Sequence, residues 1–341
     1  MASAFGPGKV TMPGDFPISL NDVQEAEAAL RTVAVRTPLL ENPDVNDALG
    51  GRFLIKVENV QRTGAFKIRG AYWRLRNMSR GERARGALTY SSGNHALGVA
   101  QAARILGTTA LIVMPDDAPP AKIAAVRALG ADIVPYSRDA EDYADVVARL
   151  QNETGRVHVP PSADPLVMAG AGTVSLEIFE QCNARGITPD AILTPCGGGG
   201  LTASTAVVAQ ALSPGTEVFA VEPAQFDDTR RSLAAGRRVA NPKGRRTICD
   251  AIMTPIPNDV TFPINQALLA GGLVANDTEV RTAMRFAFEH FKIVIEPGAA
   301  VGIAAVLNKQ IDIRGRRIVT VVTGGNISEE RFCALINPGT G

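Results

Sequence analysis

Seven short apolar runs rich in β-forming residues recur along the chain: "FLIKV" (53–57), "GALTY" (86–90), "ALIVMP" (110–115), "ADIVPY" (131–136), "AILTP" (191–195), "EVFAV" (217–221) and "RIVTVV" (317–322). Between them lie longer segments with amphipathic helical spacing. Ile68, Ala71, Tyr72 and Leu75 share one face, and Ile123, Val126 and Leu129 share another. This alternation constrains the fold more than any other feature. Parallel neighbours need a crossover rather than a tight turn, and a crossover helix covers the sheet face. The expected fold is therefore α/β, with mainly parallel twisted sheet flanked by helices. Asn21, ahead of "DVQEAEAALRTV", is the expected N-cap of the first helix, with acidic residues in the first turn where the helix dipole favours them. In such sheets ligands bind beyond the carboxyl ends of the strands, so the loops after strands are where chemistry belongs.

Composition narrows the class of function. The 341 residues are 45% hydrophobic and 20% charged, an ordinary globular balance. Lys plus Arg is 35 and Asp plus Glu is 34. Neither a nucleic-acid partner nor a membrane surface is indicated by that balance. The start, "MASAFGPGKVTMPGDFP", lacks the apolar core of a secretory signal, and no apolar run is long enough for a membrane span. Cys182, Cys196, Cys249 and Cys333 are far apart, as are His95, His158 and His290, which argues against zinc and for reduced thiols in a cytoplasmic protein. A small-molecule ligand is expected.

Three loops follow strands. "SSGNH" (91–95) lies between "GALTY" and a helical segment, placing Ser91, Ser92, Asn94 and His95 at a helix N-terminus whose free N–H groups attract an anion. A capping box would use the same residues. "CGGGG" (196–200) lies between "AILTP" and an apolar helix, so Gly197, Gly198, Gly199 and Gly200 can close backbone N–H groups around a phosphate. A nicotinamide-dinucleotide fold competes here, with Glu222 standing where a ribose-binding acid would, although Thr202 breaks the G-x-G-x-x-G pattern. "TGGN" (323–326) follows "RIVTVV" and opens with Thr323.

These loops ask for a ligand with a phosphate and a ring, and Lys67 in "QRTGAFKIRG" (61–70) asks for a group that an amine can engage. Pyridoxal phosphate has all three, since its aldehyde forms a Schiff base with lysine. "TGAFKIRGA", "SSGNHALGVA", "DPLVMAGAGT", "CGGGGL" and "TGGN" together resemble the serine/threonine dehydratase family of fold type II pyridoxal-phosphate enzymes, over nearly the whole chain.

The resemblance implies two domains, each a mainly parallel sheet flanked by helices as in the tryptophan synthase β-subunit: a larger one of residues 1–79 and 156–341 and a smaller one of 80–155. It implies that Lys67 is the Schiff-base lysine, Phe66 packs beside the pyridine ring, and Gly197 to Gly200 form the phosphate cup. Asn94 would bond the ring's 3′-oxygen, and Ser91 and His95 would help cradle the substrate carboxylate. Thr323 would face the pyridine nitrogen, leaving it unprotonated, which suits elimination better than transamination. The implied reaction is dehydration and deamination of a β-hydroxy amino acid, threonine or serine first, to a 2-oxo acid and ammonia. A homodimer is also implied.

His95 resembles the dehydratase and racemase branch, where cysteine-synthase-like relatives carry Thr. Ser92 resembles serine racemases and hydroxyaspartate dehydratases, keeping a 3-hydroxyaspartate dehydratase or a serine or aspartate racemase open; its plainer reading is a helix cap. "VEPAQFDD" (221–228) resembles the family's divalent-metal loop, with Glu222, the Phe226 carbonyl and Asp228 as hard ligands for magnesium or calcium; a surface acidic turn is the alternative. Ala65, Ala171 and the segment 247–263 depart from the family pattern and leave the substrate open. The chain ends soon after "TGGN", so a regulatory domain and feedback by isoleucine are not expected. A nicotinamide-dependent oxidoreductase would leave Lys67, "SSGNH" and "TGGN" without a role, and a non-catalytic binding protein of this fold would be expected to have lost Lys67 or the loop residues, neither of which is lost.

Overall fold

A computed structural model of the chain describes residues 16–137 and 140–337. All seven expected strands form, joined by three more. In chain order they are β1 (Leu39–Glu41), β2 (Arg52–Val57), β3 (Ala87–Tyr90), β4 (Ala110–Pro115), β5 (Asp132–Tyr136), β6 (Val157–His158), β7 (Ala191–Pro195), β8 (Glu217–Pro223), β9 (Gly271–Ala275) and β10 (Arg317–Val322). β1 and β6 are too short to carry a period, and the glycines of β9 lower its strand propensity, so none of the three announced itself.

The strands form two sheets, of order β1-β2-β10-β7-β8-β9 and β5-β4-β3-β6. All pairings are parallel except that of β1 with β2. Alternate residues of the central strands enter opposite cores: Phe53, Ile55, Leu193 and Ile318 pack on one face of the larger sheet, Leu54, Ile192 and Val319 on the other. β10 lies between β2 and β7, so the segments leaving Val57, Val322 and Pro195 emerge side by side. Strand order thus brings the Lys67 segment, "TGGN" and the glycine loop to one edge.

The first helix, Leu20–Leu30, is capped by Ser19 rather than Asn21. Ser19 and Asp22 form a reciprocal capping box, in which the Asp22 N–H donates to the Ser19 hydroxyl and the Ser19 N–H to the Asp22 carboxylate. The Lys67–Arg76 helix is clamped by two others through glycine. A Cβ on Gly170 of the Pro165–Asn183 helix would fall 2.6 Å from the Gly70 Cα, and one on Gly98 of the Asn94–Leu106 helix 3.0 Å from the Lys67 carbonyl carbon.

Beneath the Lys67–Arg76 helix lies a buried ion network. Arg69 donates from Nε and Nη2 to the two oxygens of Glu58 (2.9 and 2.8 Å), and from Nη1 to Glu177 Oε1 (2.8 Å). Lys56 donates to Glu177 Oε2 (2.6 Å) and to the Thr37 carbonyl (2.8 Å). Arg69 is 1% exposed and structural.

Candidate active site

Lys67 is delivered by a tight turn. Thr63 (φ 67°) and Gly64 (φ 72°) adopt left-handed backbone, and a Cβ on Gly64 would collide with Asn326 Oδ1 at 2.4 Å. The turn is sewn to "TGGN": Ala65 forms an isolated bridge with Gly324, and the Phe66 N–H donates to the Thr323 carbonyl at 3.2 Å. Lys67 then opens its helix, which no side chain caps. Lys67 Nζ donates to the Pro161 carbonyl at 2.8 Å and lies 5.0 Å from the centroid of the Phe66 ring. Desolvation lowers its pKa to about 8, opposed by the charge of Glu296.

In "SSGNH" the Ser91 hydroxyl accepts from the Gly93 N–H at 3.2 Å, and Gly93 is the N-cap of the Asn94–Leu106 helix. No side chain caps this helix, so the capping readings of the loop and of Ser92 are corrected. Its first N–H groups keep their capacity for an anion. Asn94 Nδ2 donates to Glu296 Oε1 at 2.6 Å, and Asn94 Oδ1 accepts from Asn326 Nδ2 at 2.8 Å. His95 is 3% exposed, with Nε2 lying 2.9 Å from the Val159 carbonyl. Desolvation, then the Lys67 charge, lowers its pKa to about 3, so the ring is neutral. A carbonyl can only accept, which puts the proton on Nε2. Nδ1 is left as a buried acceptor without a protein partner.

In the glycine loop, Gly199 (φ 79°) is the N-cap of the Gly200–Leu212 helix. Added Cβ atoms would lie 2.1 Å from Ser162 Oγ at Gly198 and 2.7 Å from Asn265 Nδ2 at Gly199. Only glycine fits this cradle. Thr261 Oγ1 holds the Gly198 carbonyl at 2.8 Å, and Asn265 is 1% exposed with neither amide atom partnered. Phe66, Lys67, Ser162, Ala171 and Gly200 border one common cavity. A lysine of lowered pKa, a glycine cradle at a helix N-terminus and orphaned buried polar atoms fit a phosphate-bearing ring cofactor. Thr323 is 8% exposed at the end of β10.

Glu222 and Asp228 lie apart from this group, at the end of β8, one strand beyond the glycine loop. Both are buried, so the surface-turn reading is corrected. Glu222 accepts the N–H groups of Thr229 and Arg230, each at 2.8 Å, one on each oxygen. Asp228 Oδ1 accepts from Asn241, and its Oδ2 has no partner. Phe226 sits between them, its N–H bonded to the Pro223 carbonyl. Among the described residues no three His, Cys, Asp or Glu side chains gather as a metal centre.

Pro161, Ser162, Thr261, Asn265 and Glu296 were not singled out in the sequence. Glu296 carried a usable signal: it is the lone carboxylate in the apolar stretch "IVIEPGAAVGIAAVL". A charge there is either buried with a partner or functional.

The model of the family described as pyridoxal-phosphate dependent enzyme matches residues 30–324. The L-threonine ammonia-lyase of Thermotoga maritima is 38% identical over 94% of this chain and 79% of its own. The L-threo-3-hydroxyaspartate ammonia-lyase of Saccharomyces cerevisiae is 36% identical over 93% of this chain and 95% of its own. The solved structure of maize serine racemase superposes with a TM-score of 0.88 at 33% identity, covering 93% of this chain and 96% of that one. The chain therefore belongs to the pyridoxal-phosphate-dependent enzyme family, as a fold type II enzyme of the branch that holds ammonia-lyases and serine racemases.

Proposed function

We propose that the protein dehydrates and deaminates a β-hydroxy amino acid, threonine or serine first, to a 2-oxo acid and ammonia. The observation that carries this reading is the Lys67 amine, held at low pKa between "TGGN" and "SSGNH" and bordering the same cavity as Gly200. Bound pyridoxal phosphate supplies an aldehyde for the lysine and a ring that takes up the electron pair left by the α-proton. Lys67 is the base: with its pKa near 8, a useful fraction is neutral at physiological pH, where a solvated lysine stays protonated. Gly197 to Gly200 hold the phosphate, Phe66 lines the ring, Asn94 bonds the ring oxygen and Thr323 faces the ring nitrogen.

The substrate carboxylate rests on Ser91 and the backbone N–H groups of its loop. His95 serves this cradle differently from the expectation of a donor. Its Nε2–H is engaged by Val159, so it shapes the loop and offers only an acceptor. Ser92 faces the cofactor side opposite Lys67 in this reading, and its freedom from capping favours a second activity, racemisation or attack on a 3-hydroxyaspartate. The chiral panel that separates these is L- and D-serine, L- and D-threonine and the hydroxyaspartate diastereomers, scored for 2-oxo acid and inverted amino acid. No product from any of them would overturn the proposal.

Glu222, the Phe226 carbonyl and Asp228 fit a magnesium or calcium ion, because desolvation pushes both buried carboxyls up, to about 8 and about 7, and Asp228 Oδ2 is unpartnered. A cation there would relieve both. A chelator should then lower the melting temperature, and calcium or magnesium restore it; an unmoved melting curve removes the ion.

We also propose the two-domain division, with the smaller unit extended to Val159 because β6 pairs with β3 and the Val159 N–H bonds the Leu88 carbonyl. Residues 1–15 and 338–341 of the larger unit lie outside the described residues. A homodimer and a cytoplasmic location complete the proposal. In support of the latter, all four cysteines are free, and no helix of the described residues is long and apolar enough to cross a membrane.

A further inference from the structure

The Asn94 amide is fixed by a chain of hydrogen bonds whose direction cannot be reversed. The chain starts at a backbone carbonyl, that of Thr63, which can only accept. Asn326 Nδ2 donates to it at 2.8 Å and also donates to Asn94 Oδ1 at 2.8 Å. Asn94 Nδ2 donates in turn to Glu296 Oε1 at 2.6 Å, a short distance that marks a charge-assisted bond. Flipping the Asn94 amide would set its oxygen against the Glu296 carboxylate and its nitrogen against the Asn326 nitrogen. Both contacts would be repulsive. The observed arrangement leaves one Nδ2 hydrogen unused and gives it a fixed direction.

Glu296 is itself held firmly. Its N–H donates to the Gly324 carbonyl at 3.1 Å, and its side chain is 6% exposed. A Cβ on Gly324 would stand 2.6 Å from Glu296 Oε1 and 3.0 Å from Asn94 Nδ2, so the glycine of "TGGN" makes the room in which the two meet. The carboxylate, the amide and the lysine-bearing turn therefore form one unit, since Thr63 and Ala65 on either side of Gly64 bond the same loop.

We infer that Glu296 is a positioning residue whose carboxylate, with Asn326, sets the direction of the Asn94 amide and so aims its remaining N–H at the cofactor ring. The inference rests on the role proposed for Asn94. It makes the site sensitive to the protonation of Glu296, because a protonated carboxyl can donate and no longer forbids the flipped amide. Desolvation pushes Glu296 up to about 7; Asp250 also raises it, while the Asn94 bond and the charges of Lys122 and Arg331 lower it. Lys67 and the Cys249 thiol also face it.

The test uses the full chain stripped of cofactor and titrated with pyridoxal phosphate, following the visible band of the lysine-bound cofactor and its affinity. Glu296→Gln should bind about tenfold more weakly than wild type above pH 8, the loss of one charge-assisted bond. The gap should close as pH falls below about 6, where wild-type Glu296 is also uncharged. Asn326→Ala, an exposed change that spares the buried carboxyl, should weaken binding by a smaller factor at high pH and shift the band in the same direction. A gap between wild type and Glu296→Gln that is the same at every pH would make Glu296 merely structural and sink the inference. If Glu296→Gln loses its native circular dichroism, Asn326→Ala decides alone, and unchanged affinity and band in it overturn the idea. Absence of a lysine-bound band in wild type would instead overturn the proposed function.

Discussion

Lys67 and Arg69 sit two residues apart on one helix and meet opposite fates. Arg69 is 1% exposed, and all five of its N–H groups are matched, by Glu58, Glu177, Thr173 and the Val35 carbonyl. Lys67 is only half-buried, and its amine has one partner, a neutral carbonyl. Of the two, only Arg69 is locked in its charged form. Burial opposes both, but the coulombic pull of Glu58 and Glu177 holds the Arg69 pKa above its ordinary value, while Lys67 falls to about 8. Glu296, whose charge helps Lys67, is engaged by Asn94, and the neighbouring imidazole is neutral. Pairing, not depth, separates a structural cation from one that can exchange a proton.

The largest test of this contrast is Lys67→Ala. Activity should fall by about 10³-fold or more, the scale of a lost catalytic base, and the visible band should vanish while the melting temperature stays near wild type. A second reading uses the cofactor-free chain. A lysine whose folded pKa is depressed binds fewer protons than the unfolded chain between about 8 and its ordinary 10.5, so stability should rise with pH across that window. Denaturant midpoints should lose that rise in Lys67→Met. A slope unchanged by the substitution would mean that Lys67 titrates like a solvated lysine, and the comparison with Arg69 would collapse.

Arg69→Met should act the other way. Removing the guanidinium leaves Glu58 buried with only Thr37, Gln61 and the neighbouring Lys56 charge to support it, a loss of about 3–5 kcal/mol by denaturant unfolding. Adding Glu58→Gln should recover part of it, because the stranded charge is then gone. A folded Arg69→Met enzyme of full stability but little activity would place Arg69 in the chemistry and erase the distinction.

The contrast also shows what a sequence can reveal. The strands were legible because short apolar, β-branched runs mark buried strands, their division into two sheets only through the family resemblance, and the three loops because hydroxyls and glycines after strands have few structural uses. "QRTGAFKIRG" did not reveal which cation was which, since Glu177 lies 108 residues from Arg69 and meets it only through the packing of two helices at Gly70 and Gly170, while Glu58, 11 residues away, arrives on the turn after β2. Glu296 was missed for the same reason, its partner Asn94 being 202 residues away. Ser19 displaced Asn21 as a cap because its box with Asp22 starts the helix two residues earlier, and the sequence carries both that spacing and Asn21 with Gln24.

The smallest expected effect concerns Ser92. Its hydroxyl has no protein partner among the described residues, and the helix after it is capped by no side chain. Ser92→Ala should therefore move stability by less than about 0.5 kcal/mol, whereas losing a capping serine costs about 1. If Ser92 delivers a proton to the face opposite Lys67, the ratio of inverted amino acid to 2-oxo acid should fall in the variant at unchanged melting temperature. Inversion in wild type would first have to be seen with at least one substrate of the chiral panel. A cap-sized loss of stability with an unchanged product ratio would return Ser92 to the structural class that Arg69 represents, leaving Lys67 as the only proton-transfer group the site requires.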